Sequence, residues 1–423
     1  MQAIMHSSRS ATECYQECPR RRYLQYHYKG KGIRPIARSI PLVTGTAVHT
    51  GIAILLRAIK RGLLTNQSYT QILNFAVAHA KAGYLAEVEG AGFQPSSAPD
   101  QAYTLAEQMA LAEALIVAWS IIEAPFLQEQ FTILAVEEDY PLDLGLGNAG
   151  IVYTTRADAL LQERADGRIY VYSLKTTKLW NERVQKSYRE DLQGITELLG
   201  ARQHFSADKD ILNSLAGVRY CFLIKGDRKL NETTNRVEQV SPLIAGYHRS
   251  SACSVDYAHS WFYPNSSNTS GYSALGRGWS KFKVWDSYPG GLREWLARLA
   301  NNEIQPECGD ILRQTVIHPL PSFRDDIDLD STLAEVAAVE SRIKAGLDFI
   351  ARNAAYPDLV KPILYGTFTR NRRSCRWPTD CDFIPICHEG LKQPLLAGYE
   401  FRKPHHQGEA DYQAAQAAQK EGK

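Results

Sequence analysis

At residue 131 the hydrophobic pattern changes period, from steps of three and four to steps of two, and this change limits the folds open to the chain. "FTILAVEEDYPLDL" (131–144), "GIVYTTRADALLQE" (150–163) and "RIYVYSLKTT" (168–177) alternate apolar and polar residues as half-buried strands do. Asp166-Gly167, between the last two, reads as a two-residue hairpin turn. With that turn, cross-strand partners have numbers summing to 333, so Leu160 faces Ser173 and Asp158 faces Lys175. Directly opposed residues share a face, with Cβ atoms about 4.5–5.5 Å apart. A carboxylate, a lysine and Ser173 therefore meet on one surface. Cross-strand Asp–Lys pairs are also common as plain structural ion pairs.

Helices flank this meander. "GTAVHTGIAILLRAIKR" (45–61) reads as a helix with His49 in its first turns, and 101–124 as a longer one, its apolar stripe Leu105, Met109, Ala112, Ile116 and Trp119 ended by Pro125. A helix over 181–205, a buried strand "GVRYCFLIKG" (217–226) and a helix over 331–353 follow. Between them, 227–290 is rich in Ser, Asn, Gly and aromatic residues without a sustained period, and reads as an insertion. Its Trp261, Tyr272 and Trp279 lie beside Arg277 and Lys281, a combination suited to stacking on single-stranded bases. The expected organisation is a core with an N-terminal cysteine over 1–226, an irregular lobe over 227–330, a C-terminal helix and cysteine-rich clasp completing the core over 331–400, and a tail over 401–423.

A composition of 44% apolar and 22% charged residues suits a soluble globular protein, and a net charge of +2 requires any nucleic-acid contact to come from local clusters of Lys and Arg. No stretch approaches the roughly 18 apolar residues of a membrane span, and the start lacks the apolar core of a signal peptide. The expectation is a cytoplasmic protein with no membrane partner. Eight cysteines in 423 residues are too few for a disulfide scaffold, yet Cys375, Cys381 and Cys387 fall close together, a pattern that more often means metal.

Taken in order, "GTAVH" with His49, "AVEEDYPL" with Glu137 and Glu138, "TRADALL" with Asp158, "YSLKTT" with Lys175 and "REDLQGITELLGAR" with Gln193 resemble the PD-(D/E)xK nuclease superfamily, in its RecB-type branch. The resemblance implies an α/β restriction-endonuclease-like fold, with a mixed central sheet of about four or five strands flanked by helices. It implies that His49, Glu137 and Asp158 hold Mg²⁺ or Mn²⁺, that Lys175 positions or activates the attacking water, and that Gln193 organises the site and nearby DNA. The implied function is a metal-dependent DNA exonuclease in recombination, repair or phage DNA metabolism, with a helicase or recombination protein as partner. The chain departs from the family at Ser173, where an Asp or Glu stands two residues before the Lys, and at Glu197, where a Tyr follows the Gln by four. A degenerate fold that binds DNA without cutting, a carboxylate moved to Glu197, and a weaker site built on Asp158 and water are the three accounts of that departure.

Cys18, in "CPRRRYLQY", together with Cys375, Cys381 and Cys387 resembles the iron–sulfur staple of AddB-like and CRISPR-adaptation nucleases, which implies a [4Fe–4S] cluster; four thiolates also suit Zn²⁺. The spacing of five residues between Cys375 and Cys381 departs from the two usual there. Cys14 competes as a fourth ligand, whereas Cys221, Cys253 and Cys308 read as core residues. Should the cysteines meet, Arg20, Arg21, Arg22, Arg370, Arg372 and Arg373 meet with them and form a basic patch for phosphates.

Overall fold

The structure is a computed structural model describing residues 4–36, 40–89, 105–147, 149–177, 180–225, 228–231, 236–239, 315–375, 380–389 and 391–404, with 406, 410, 411 and 414. The chain opens with β1 (Met5–Ser7), α1 (Arg9–Glu17), α2 (Pro19–Arg22) and β2 (Ile33–Pro35). Three long helices follow, α3 (Ile40–Lys60), α4 (Tyr69–Glu89) and α5 (Leu105–Gln130), and then the meander β3 (Phe131–Leu142), β4 (Ile151–Glu163) and β5 (Ile169–Thr177). Helices α6 (Glu182–Ser187), α7 (Leu192–His204) and α8 (Lys209–Ser214) lead to β6 (Leu215–Ile224) and to the hairpin β7 (Arg228–Asn231) and β8 (Arg236–Gln239). Beyond residue 314 come β9 (Val316–Ile317), β10 (Ser322–Phe323), α9 (Asp326–Arg352), α10 (Pro357–Thr367), α11 (Ile384–Cys387) and β11 (Tyr399–Phe401). The aromatic stretch with Trp261, Tyr272 and Trp279, like Cys253 and Cys308, lies outside the described residues.

The central sheet is mixed and has seven strands: β1, β4, β5, β6 and β10 in order, with β3 also on β4 and β9 also on β6. It exceeds the expected four or five because β1, β9 and β10, at two or three residues each, are too short to display a period. β9 and β10 lie within the segment read as an insertion and pair with β6, so the core resumes by residue 316. One edge of β4 is taken by β3. The other edge is shared: β5 pairs with residues 159–162 of β4 and β1 with residues 151–153, which leaves 154–158 between them without a strand partner on that edge.

The β4–β5 register differs from the expected one. Ala159 pairs with Tyr172 and Gln162 with Ile169, a sum of 331, because the connection is a four-residue loop, Arg164 to Gly167, closed by the Gly167 N–H donating to the Glu163 carbonyl at 3.0 Å. Gly167 supplies the positive φ of 75° that this loop needs. A shift of two preserves parity, but β4 changes face at this point: Ala157 packs with Val171 and Tyr220, and Ala159 with Tyr172 and Leu174, so Asp158 sits at the changeover. In register, Asp158 now stands across from Ser173 rather than Lys175.

Helices α3, α4 and α5 cover the sheet face that carries Tyr170, Tyr172 and Leu174, and α7 and α9 cover the face that carries Leu160, Val171 and Tyr220. Trp119 is fully buried on the first face and its indole N–H donates to the Tyr172 hydroxyl at 3.0 Å. Pro125 does not end α5, which runs to Gln130 because Ala124 and Leu127 are buried against the core and that packing outweighs the lost backbone bond. The helix expected over 181–205 is broken: Asp191 caps α7 by accepting the Gln193 N–H, and a turn over Tyr188–Glu190 separates α6 from it. Two helices, over Leu42–Lys60 and Leu111–Gln130, are long and apolar enough to cross a membrane, contrary to the expectation, but most of each is buried in the core.

Helix α7 approaches the sheet closely because Gly194 lacks a side chain: a Cβ there would lie 2.1 Å from the Tyr220 hydroxyl and 3.0 Å from its ring carbon. Gly194→Ala must therefore push α7 away or displace Tyr220. The expected loss is about 1–3 kcal/mol of stability in urea unfolding; an unchanged midpoint would show that α7 has slack at this point.

Candidate active site

Asp158 occupies the unpaired stretch of β4 and is only 9% exposed. Its Oδ2 accepts the Leu174 N–H at 2.6 Å, a backbone group freed where β5 leaves β4, and its Oδ1 lies 2.9 Å from His49 Nδ1 on α3. Burial would raise the Asp158 pKa, but the His49 ring and the Leu174 N–H outweigh it and hold the carboxyl below its usual range. Burial likewise opposes a charged His49, and the Asp158 carboxylate overcomes it.

Glu137 completes a triad. Val136 pairs with Ala159 and Glu138 with Ala157, while Glu137 between them takes a φ of +52° and leaves the ladder opposite Asp158. This conformation is strained for a non-glycine residue, a feature common at functional sites. Donor atoms of His49, Glu137 and Asp158 all lie within 4.8 Å of one another. Burial and the neighbouring Asp158 push Glu137 up to about 7. One imidazole and two carboxylates on rigid elements fit a divalent cation of the Mg²⁺ or Mn²⁺ class, with the imidazole favouring Mn²⁺.

A second group flanks the triad. Lys175 Nζ donates to Gln193 Oε1 and lies 2.9 Å from Asp191 Oδ2, and Gln193 Nε2 donates to Glu197 Oε1 at 2.6 Å. Arg9 of α1 also donates to Gln193 Oε1. Glu197 is 2% exposed, its Oε2 has no hydrogen-bond partner, and burial pushes its pKa up to about 8. Ser173 is fully buried and its hydroxyl too is without a partner. The set read from the sequence, His49, Glu137, Asp158, Ser173, Lys175 and Gln193, thus gathers around one stretch of β4. Arg9 and Asp191 were not foreseen. Asp191 was visible as a helix cap in "REDLQ", whereas nothing local marks Arg9.

Cys18, Cys375, Cys381 and Cys387 line one small cavity with Arg21, Arg370 and His388. Cys18 caps α2 and its sulfur accepts the Asn371 N–H at 3.5 Å; Cys375 Sγ lies 3.4 Å from His388 Nε2. Cys14 is absent from the cavity, with its thiol against Gln25. The six arginines do not all gather on a surface. Arg22 is buried, its guanidinium bonded to Glu340 at 3.2 Å and to Ser7 at 3.1 Å, because α2 turns it into the core. Arg20 donates to the Phe368 carbonyl and lies over the Tyr365 ring, whereas Arg370, Arg372 and Arg373 are exposed.

The buried carboxyl of Glu197 makes a stability prediction. Its folded-state pKa near 8 lies above the ordinary 4.5. The folded protein therefore binds more protons than the unfolded chain between those values, and stability of the metal-free protein falls as pH rises through that window. Glu197→Gln, neutral throughout, should match wild type near pH 5 and exceed it by on the order of 3 kcal/mol at pH 8 in urea unfolding with chelator. A variant less stable than wild type at pH 8 would contradict the burial of an uncompensated carboxyl.

No curated protein matched the chain in a similarity search. A family profile described as the PD-(D/E)XK nuclease superfamily matches residues 6–388, which include the triad, Lys175, Gln193 and all four clasp cysteines. With the strands, the donor triad and the lysine placed as described, the chain belongs to the PD-(D/E)XK nuclease superfamily.

Proposed function

We propose that this protein is an active, metal-dependent DNA nuclease of RecB type, working as an exonuclease in recombination, repair or phage DNA metabolism. The observation that carries the reading is the convergence of the His49, Glu137 and Asp158 donors beside Lys175, Gln193 and the buried Glu197. His49, Glu137 and Asp158 would hold Mg²⁺ or Mn²⁺, and such an ion supplies Lewis acidity at a phosphodiester and lowers the pKa of water. Lys175, held by Gln193 and Asp191, is the cation placed to orient the attacking water and to offset charge developing on the phosphate. Glu197 takes the role of the carboxylate that Ser173 lacks: it lies on the helix covering this face, and its raised pKa reflects Asp158 nearby as well as burial.

A basic cleft of about 700 Å³ supports DNA as the substrate. Arg21, Arg34, Arg402, Lys403 and His6 line it, and it shares Ser8, Ser10, Thr154 and His406 with the smaller pocket that reaches Gln193 and Glu197. Glu87 and Asp382 also line it, and phosphates held by its basic residues would lie on the path to Gln193 and Glu197. The four cysteines are proposed to hold a [4Fe–4S] cluster, Zn²⁺ being the other ion their donor set suits. Cytoplasmic action beside a helicase or recombination protein completes the proposal.

A second reading, a DNA-binding protein that no longer cuts, draws support from the Ser173 hydroxyl, which is neutral and unpartnered in register with Asp158. Purified protein incubated with linear single- and double-stranded DNA, with Mn²⁺ or Mg²⁺ against EDTA, separates the two. Wild type should release nucleotides only with metal, Asp158→Asn and Glu197→Gln should each slow release at least ~100-fold, and Ser173→Asp should change it little. Wild type that binds DNA without cutting, and cuts only as Ser173→Asp, would establish the second reading. For the cysteines, anaerobically purified wild type should be brown with about four irons per chain, and Cys375→Ser should lose the colour; colourless protein containing zinc would assign the clasp to Zn²⁺.

A further inference from the structure

On the opposite face of the sheet from α7, three donors of different chemistry meet. Glu123 of α5, Cys221 of β6 and His318, one residue beyond β9, bring a carboxylate oxygen, a thiol sulfur and an imidazole nitrogen within 4.8 Å of one another. Glu123 is 1% exposed and Cys221 is fully buried, while the His318 side chain keeps 30% of its surface in solvent. The sequence presents these residues nearly 200 positions apart, and Cys221 alone reads there as a core residue.

A carboxylate–histidine ion pair is the plain account of two of these residues; the Cys221 sulfur brought within 4.8 Å of both is the third donor that such a pair does not need. His318 Nδ1 is 2.9 Å from Glu123 Oε2, yet that buried oxygen has no hydrogen-bond partner, so the two atoms are close without being aligned for a bond. For both to bind one ion they must part by roughly half an ångström. Around a tetrahedral Zn²⁺, with bonds of about 2.0–2.3 Å, neighbouring donors stand roughly 3.3–3.8 Å apart. A thiolate and an imidazole select zinc-class ions over Mg²⁺, in contrast to the hard His49, Glu137 and Asp158 set.

We propose that Glu123, Cys221 and His318 form a second metal site, for Zn²⁺ or a chemically similar transition-metal ion. Binding deprotonates the Cys221 thiol, releases that proton to solvent, and leaves a fourth coordination position open on the His318 side. The ion ties α5 to β6 and to the end of β9, which otherwise holds β6 through only two residue pairs, Phe222 with Ile317 and Leu223 with Val316. It also lies directly behind the catalytic groups. Cys221 pairs with Leu174, whose N–H is bound to Asp158.

The test uses the full-length protein, stripped with chelator and reloaded with Zn²⁺ or with Co²⁺ as a spectroscopic probe. Wild type should retain about one metal equivalent per chain that Cys375→Ser keeps and that His318→Ala and Glu123→Gln lose. The cobalt form of Cys375→Ser should show a thiolate-to-metal charge-transfer band that disappears when Cys221→Ala is added to it. His318 is exposed, so His318→Ala remains folded even where a core substitution at Cys221 does not. Bound metal should raise the Tm of wild type and not that of His318→Ala. Equal metal content and the same cobalt spectrum in wild type and His318→Ala would overturn the proposal.

Discussion

One edge of β4 is divided between two strands, and the candidate site exists because of that division. β5 holds residues 159–162 and β1 holds 151–153, so the backbone between them has no ladder partner on that side. A sheet cannot leave such groups unpaired in its interior at low cost. Asp158 resolves part of the problem by taking the Leu174 N–H on its Oδ2, while its Oδ1 lies 2.9 Å from His49. A structural necessity thus sets the orientation of Asp158 toward His49. Replacing β1 with a longer strand would close the gap and bury the same carboxylate in a ladder.

Burial, more than a shortage of cations, governs the charges around the gap. Asp158 and Glu197 are buried and Glu137 half-buried, and the cations around them are His49, Lys175, Arg9, Arg57 and Arg156. Lys175 is already engaged by Asp191, and Arg9 by Glu13. The protein answers by keeping Glu137 and Glu197 protonated up to about 7 and about 8. It also holds Glu137 at a φ of +52°, a conformation that costs of order 1–3 kcal/mol in a non-glycine residue. Strain and deferred ionisation in one place are what a site built for a divalent ion shows when its own residues alone supply the charge.

Much of this was legible in the sequence because the hairpin brings its motif residues together whatever the exact register. Period-two alternation brings Asp158, Ser173 and Lys175 to the same end of the hairpin, and a register shift of two, from a loop of four residues rather than two, leaves them neighbours although β4 changes face between Ala157 and Ala159. Elements that leave no period were missed: β1, β9 and β10 are two or three residues long, and they decide the sheet's edges. Helix α4 was overlooked although Leu73, Ala76, Val77, Ala80 and Tyr84 recur at helical spacing and are all buried. Pro125 misled because local propensity there is overridden by burial of the residues around it. At the site, the motif residues were readable as a set, whereas Arg9 and the grouping of Glu123, Cys221 and His318 arise only when distant segments fold together. Arg22 illustrates the converse: a basic run reads as surface, but α2 aims one of its three arginines at Glu340.

The clasp bears on the site through β1. The strand that bounds the gap is three residues long and continues almost directly into α1 and Cys18, so its hold on β4 is weak on its own. Several links keep that N-terminal segment in place. Arg22 is ion-paired to Glu340 of α9, Thr12 donates to the same Glu340 at 2.7 Å, Arg20 donates to the Phe368 carbonyl, and β2 pairs with β11. Each joins the start of the chain to segments more than 300 residues later, and closing loops of that length carries an entropic cost of several kcal/mol that local packing alone must offset. Cys18 meeting Cys375, Cys381 and Cys387 concentrates that closure at one point beside Arg21, which also lines the basic cleft. Loosening these links would therefore release the short strand that bounds the gap and lengthen the unpaired stretch of β4 from 154–158 to 151–158, next to Asp158.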